Sequence, residues 1–272
     1  MTNAPKQNEQ GAKSGSILPL IVIPAAFVLG ILIYKFVFGA PSHFKGGDPS
    51  NEPLPGDYFG VIYKGGFIVP VLLGLLFITI IFSVERMITI ARAAGTGPVD
   101  KFVRNVQYAL SKGDISGALA ACDKQKGSVA NVVRSGIVTY NKMIHEEGLE
   151  KEQKVAAIQK EVEEATSLEL PSLEQNLPII ATIATIATLI GLIGTVLGMI
   201  RAFAGMAHSG APDASALATG ISEALINTAL GITTSAIAIV AYSYFTTRID
   251  SMTYRIDEAG YSMQQQFASQ HK

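Results

Sequence analysis

The sequence predicts an all-α, polytopic membrane protein whose long helices run on into the cytoplasm. Three observations carry that expectation. Only 16% of the 272 residues are charged and 49% are hydrophobic, with a mean hydropathy of +0.34, whereas soluble domains carry about 25% charged residues. Four apolar stretches reach the roughly 20 residues a helix needs to cross a hydrocarbon core of about 30 Å. The charged segments beside two of these stretches repeat apolar residues at three- and four-residue steps, the period of a helix face.

The first stretch, 17–38, contains Pro19 and Pro24 and ends near Lys35, which can snorkel. Its apolar region is longer than the about 7–15 residues of a signal peptide, and Phe38-Gly39-Ala40 is a poor cleavage site. An uncleaved span is expected there, preceded by a segment at 1–16. Residues 39–66, rich in glycine and proline, read as an exported linker. The second span is 67–90, closing on Glu85 and Arg86. The region 91–176 is polar and helical, with short helices broken at Gly113 and Gly127 and an amphipathic run through Val155, Ile158, Val162, Ala165 and Leu168. The third span, 177–207, adjoins that run, with Pro171 and Pro178 as bend points. A loop at 208–213 leads to the fourth span, 214–247, and the tail 248–272 continues it through Ile249, Met252, Ile256, Ala259, Met263 and Phe267.

Orientation follows from lysine and arginine placement. The connection 91–176 holds Arg92, Lys101, Arg104, Lys112, Lys124, Lys126, Arg134, Lys142, Lys151, Lys154 and Lys160, whereas loop 208–213 has neither residue type. The connection and both termini are therefore expected in the cytoplasm, with the linker and the short loop outside.

Several function classes fall away. The net charge is −1 and the isoelectric point about 6.4, with no basic cluster, which argues against a nucleic-acid partner. No Gly-rich phosphate loop, C-x-x-C, H-E-x-x-H or G-x-S-x-G occurs, so no enzyme and no cofactor are expected. His43, His145, His208 and His271 are scattered, which gives no metal site. The single Cys122 reads as a small buried residue.

The fourth span holds the one feature that composition does not explain. In "GISEALINTALGITTSAIAI" (220–239), Glu223 is the only charged residue between Asp213 and Arg248. A charge at the centre of a membrane helix costs roughly 2.5–3.5 kcal/mol on insertion scales. Glu223 follows Asp213 by ten residues, which places it about 15 Å along the helix from the outer loop. A sector beginning at Glu223 collects Gly220, Ala224, Asn227, Thr228, Gly231, Thr234, Ser235, Ala238 and Ala241, while Leu225, Ile232 and Ile239 lie opposite. The third span sorts similarly, with Ala184, Ala187, Thr188, Gly191, Gly194, Thr195, Gly198 and Ala202 together. Gly191, Gly194, Gly198, Gly220 and Gly231 have the small-xxx-small character that lets membrane helices approach closely. Glu223, Asn227, Thr228 and Thr234 need protein or water beside them, because lipid satisfies no polar group. They read as the wall of a polar cavity. Arg201 reads as an outer-end residue opposite the small-residue face, snorkelling to the surface.

At "LIGLIGTVLGMIRAF" (189–203) and "GISEALINTALGITTSAIAI" the sequence resembles the MotA/TolQ/ExbB proton-channel family, closest to its ExbB branch. Two long signatures stand in order across the family's short loop, and Glu85-Arg86 matches a pair common at the end of its first span. The resemblance covers about residues 65–250 and implies a pentameric ring around a central pore. The family's polar pore residues fall on Thr195, Glu223 and Thr228. It further implies an ExbD-like single-span partner whose membrane aspartate carries protons, and a TonB-like protein energized for outer-membrane transport. A TolQ-like unit, a gliding-type motor and a purely structural scaffold are the alternatives. Two departures stand out: Ala187-Thr188 where the family commonly has Ala-Pro, and the additional span 17–38.

Overall fold

Where hydrocarbon replaces water, only a helix satisfies its backbone within one segment, and the chain is built accordingly. A computed structural model describes residues 17–208 and 214–270. The segment 1–16 and nearly all of the 208–213 loop lie outside the described residues. Among the described residues there is no strand, and a lone bridge pairs Phe44 with Pro53. Four helices are long and apolar enough to cross a membrane. This is a helical membrane protein.

The helices are α1 (Ile17–Leu32), which continues as a π-helical turn at Ile33–Phe38, α2 (Tyr58–Tyr63), α3 (Ile68–Ala94), α4 (Val99–Ser111), α5 (Ile115–Gln125), α6 (Gly127–Ile144), α7 (Lys151–Glu174), α8 (Leu177–His208) and α9 (Ala214–Gln270). Their contacts divide the described chain into two units. One comprises residues up to Ser83 with Asn176–Tyr242, and the other Val84–Gln175 with Ser243 onward.

In the first unit, α1 reaches α3 through glycine. A Cβ on Gly30 would stand 2.8 Å from the Pro70 carbonyl, and one on Gly74 would meet the Phe27 ring. Most of the remaining α1 surface is exposed and apolar, including Leu20, Ile21, Val28 and Leu29, as a lipid-facing helix requires. Residues 39–66, expected as a linker, are folded. Asp57 caps α2 by accepting from the Phe59 and Gly60 amides at 2.9 and 3.1 Å, and it meets His43 Nδ1 at 2.7 Å. The Tyr34 and Tyr63 rings stack at 4.7 Å, and Phe44 is buried. Aromatic burial and a side-chain cap thus order a stretch whose glycines and prolines signalled only turns.

In the second unit, α6 and α7 pack closely at Gly136, where a Cβ would lie 2.7 Å from Val162 Cγ2 and 2.9 Å from Met263 Sδ. Phe245, Ile249, Met252, Ile256, Ala259, Met263 and Phe267 of α9 are all buried. On α7 the buried line is Ile158, Val162 and Leu173, while Leu168 is 82% exposed. The apolar run read through Leu168 leaves the helix face there. At 100° per residue Leu168 lies about 120° from Val162, and Leu173 within about 20°.

The helices that flank the membrane entry are separate instead of one bent helix, and Pro171 lies inside the last turn of α7. Helix α7 stops at Glu174, Asn176 has φ +67°, and α8 begins at Leu177 with Pro178 in its first turn. Asparagine tolerates the left-handed conformation, and a first-turn proline has no intrahelical acceptor to lose. Helix α9, by contrast, runs for 57 residues. The polar helices break at Gly113 (φ +72°) and at Lys126-Gly127 (φ +59° and +81°).

Candidate functional site

The small-residue sides of α8 and α9 face each other within one chain. A Cβ on Gly191 would stand 2.9 Å from the Asn227 carbonyl, and one on Gly198 the same distance from the Gly220 carbonyl. Added carbons on Gly194, Gly220 and Gly231 would lie 2.5 Å from Asn227 Cβ, 2.5 Å from Ala202 Cβ and 2.6 Å from the Ala187 carbonyl. All are closer than side-chain carbons approach other atoms, so the two backbones are in near contact over several turns. Ser235 Oγ adds a hydrogen bond across the seam to the Ala184 carbonyl.

Glu223 and Asn227, one turn apart on α9, turn toward the entry of α3. Both are buried. Asn227 Nδ2 donates to the Gly65 carbonyl at 2.9 Å. The Glu223 carboxyl lies against Gly66, which adopts φ +76° and whose Cβ, were there one, would stand 2.5 Å from Glu223 Oε1. Glycine at 66 is favoured by its conformation, one that residues with a Cβ rarely adopt.

The same carboxylate oxygen accepts from Arg201 Nη1. This corrects the reading of Arg201 as a snorkelling residue opposite the small-residue face. Arg201 stands seven residues after Gly194 and three after Gly198, so at 100° per residue it shares their face. Its guanidinium also lies over the Phe67 ring, 5.1 Å from the centroid. The ion pair answers the cost of a lone carboxylate in an apolar helix, because a charge removed from water is tolerated when paired and hydrogen-bonded. The signal was present in the sequence as the single cation in the third span.

The hydroxyls are placed differently. Thr234 is buried. Thr228 Oγ1 and Asn227 Oδ1 are buried without a hydrogen-bond partner among the described residues, so each keeps capacity for an internal water. Thr195 is partly exposed and donates to the Leu192 carbonyl of its own helix at 2.6 Å. The structure thus gathers Glu223, Asn227 and the five glycines along one seam and leaves Thr195 at its margin.

Sequence reasoning assigned no role to the pair that ends the second span. Arg86, 2% exposed, reaches Glu85 through Nε and Nη2 at 2.6 and 2.5 Å. Its Nη1 donates to the Ser172 and Leu173 carbonyls at 3.0 and 3.1 Å. Those carbonyls stand at the end of α7, where intrahelical donors run out and a cation is favoured. Arg86 is the C-terminal anchor of α7. Cys122 is buried, which pushes its thiol up to about 11. Among the described residues, no group of three or more His, Cys, Asp or Glu is placed to hold a metal.

The model of the MotA/TolQ/ExbB proton channel family matches residues 126–258, just under half of the 272-residue chain. The match takes in α6 through most of α9, and with them Arg201, Glu223, Asn227 and all five seam glycines. No curated protein matches the chain.

Proposed function

We propose that this chain is an ExbB-like member of the MotA/TolQ/ExbB proton channel family, the multi-span subunit of a proton-motive-force-driven motor in a bacterial inner membrane. The observation that carries the reading is Glu223, a carboxylate buried in the α8–α9 seam inside the family-matched segment. Five copies form a ring, with the last two spans of each copy turned to a central pore. Thr195, Glu223, Asn227, Thr228 and Thr234 supply its proton pathway, and the seam glycines hold the helices that carry them. The unpartnered Asn227 Oδ1 and Thr228 Oγ1 favour this reading, since they leave hydrogen-bonding capacity for water within the seam. An ExbD-like single-span protein with a membrane aspartate occupies the pore, and the complex energizes a TonB-type protein for outer-membrane transport. Both termini and residues 91–176 are cytoplasmic.

A second reading has an observation of its own. Glu223 and Asn227 are tied to Arg201 and to the Gly65-Gly66 turn within the chain, as a purely structural clamp would be. Glu223→Gln separates the two. It keeps the size of the side chain and removes its charge and titration. In cells, loss of energized uptake with intact co-purification of the single-span partner supports the motor, whereas loss of assembly supports the clamp. Cells that have lost uptake through a TolQ-like or gliding-type counterpart, complemented by this chain, decide which machine it serves.

A further inference from the structure

We propose a phospholipid headgroup site on the second unit, where α3 and α9 leave the hydrocarbon on the side rich in lysine and arginine. A cavity of about 350 Å³ lies there. Its floor is apolar, made by the buried side chains of Ile90, Phe245 and Met252, and Met87 and Tyr244 stand exposed at its rim. Met87 is the first residue after Arg86, and Tyr244 precedes Arg248, the first charge after Glu223 on α9. These are the turns that sit at headgroup depth, where tyrosine and arginine are enriched.

Charge selects the occupant. The cavity is lined by Arg248, Arg255 and Asp100. Arg255 is committed, with Nε 2.6 Å from Asp100 Oδ1 and Nη1 2.7 Å from Glu258 Oε2. That pairing also neutralises Asp100. Arg248 makes no ion pair among the described residues and is exposed. The wall therefore offers one free guanidinium with the Ser251 hydroxyl one turn on, above an apolar floor. A free anion would use the arginine and gain nothing from Ile90, Phe245 and Met252. A soluble apolar ligand would use the floor and leave the arginine idle. An anionic glycerophospholipid uses both, with its phosphate on Arg248 and its acyl chains passing Met87 and Tyr244 toward the bilayer. The site rests on the membrane reading alone and is independent of any proton pathway through Glu223.

The test uses the full chain in nanodiscs of phosphatidylcholine containing a trace of photoreactive phosphatidylglycerol or photoreactive phosphatidylcholine. Crosslinks are mapped by peptide mass spectrometry. Phosphatidylglycerol should label residues 244–255 about fivefold more than phosphatidylcholine does, the effect of one basic residue at an anionic surface. Arg248→Ala should remove that preference. Ala91→Trp, which fills the cavity and keeps the arginine, should abolish labelling while helicity by circular dichroism is unchanged. Equal labelling by the two lipids, or a preference that survives both substitutions, overturns the site. Suppression of labelling by excess inorganic phosphate identifies a free-anion site and overturns the lipid assignment.

Discussion

Arg201 on α8 and Glu223 on α9 form an ion pair across two membrane helices, beside the left-handed turn at Gly66. The carboxylate is buried and the guanidinium nearly half exposed. The pair therefore links a buried position to a more accessible one at the same end of the seam. Arg201→Gln and Glu223→Gln should each lower thermal stability in detergent, and the double variant should lose less than their sum. A coupling of about 0.5–3 kcal/mol is expected from residues in direct contact. Strictly additive losses in a double-mutant cycle would show that the contact contributes nothing.

Transport separates the polar residues by rank. Glu223→Gln should abolish most energized activity, because the carboxyl is the one titratable group on the seam of α9. Thr195→Val and Thr228→Val should impair it less, since water reorganises around one lost hydroxyl. Thr195→Val should be the milder of the two, because its hydroxyl is already bonded to its own helix. Uptake rates in cells expressing equal amounts of each variant check the order.

Close packing makes the seam intolerant of bulk. Gly194→Leu or Gly198→Leu forces apart backbones that already exclude a Cβ. The expected result in native mass spectrometry is loss of the oligomer, five subunits in the parent chain. An unchanged oligomer in both variants would show that assembly does not depend on this packing within the chain.

Topology is open to labelling. Cysteines placed at 45–57 and in the 208–213 loop should react with an impermeant reagent from outside intact cells, and Lys126→Cys should not. Modification of position 126 in intact cells would invert the charge-based orientation.

Arg86 should be the most sensitive charged position in the second unit. Arg86→Ala removes the guanidinium that pairs with Glu85 and caps the Ser172 and Leu173 carbonyls. Removing one member of a buried charged network costs about 3–5 kcal/mol. A marked drop in the unfolding midpoint of the detergent-solubilised chain is expected, with partial recovery in Arg86→Lys.

The segment before α2 should respond to acid. The hydrogen bond from His43, followed by those from the Gly60 and Phe59 amides, holds the Asp57 carboxyl below the usual carboxylate range. A depressed folded-state value means the contribution is complete above the ordinary carboxylate pKa and fades as pH falls through the depressed one. Hydrogen exchange of the α2 amides should rise over that acidic window in the parent chain. In His43→Ala the rise should begin at higher pH.

The spans were legible in the sequence because hydrocarbon imposes a length and a composition that no packing detail overrides. The 17–38 and 67–90 stretches correspond to helices at Ile17–Phe38 and Ile68–Ala94. Glycine and asparagine mark breaks for a local reason, which is why Gly113 and Gly127 could be read directly and why Asn176 ends what two prolines were expected to bend. The buried face of α9 was legible as far as Phe267, because a 3.6-residue period held over about six turns leaves no alternative face. Tertiary structure alone decided the rest. Leu168 belongs to the apolar period by type but lies off the face that α6 covers, and the folding of residues 39–66 depends on rings brought together across 29 positions, as Tyr34 on Tyr63. The partner of Glu223 lies 22 residues away on another helix. Its identity depends on the angle at which two glycine-lined helices meet, which no single helix encodes.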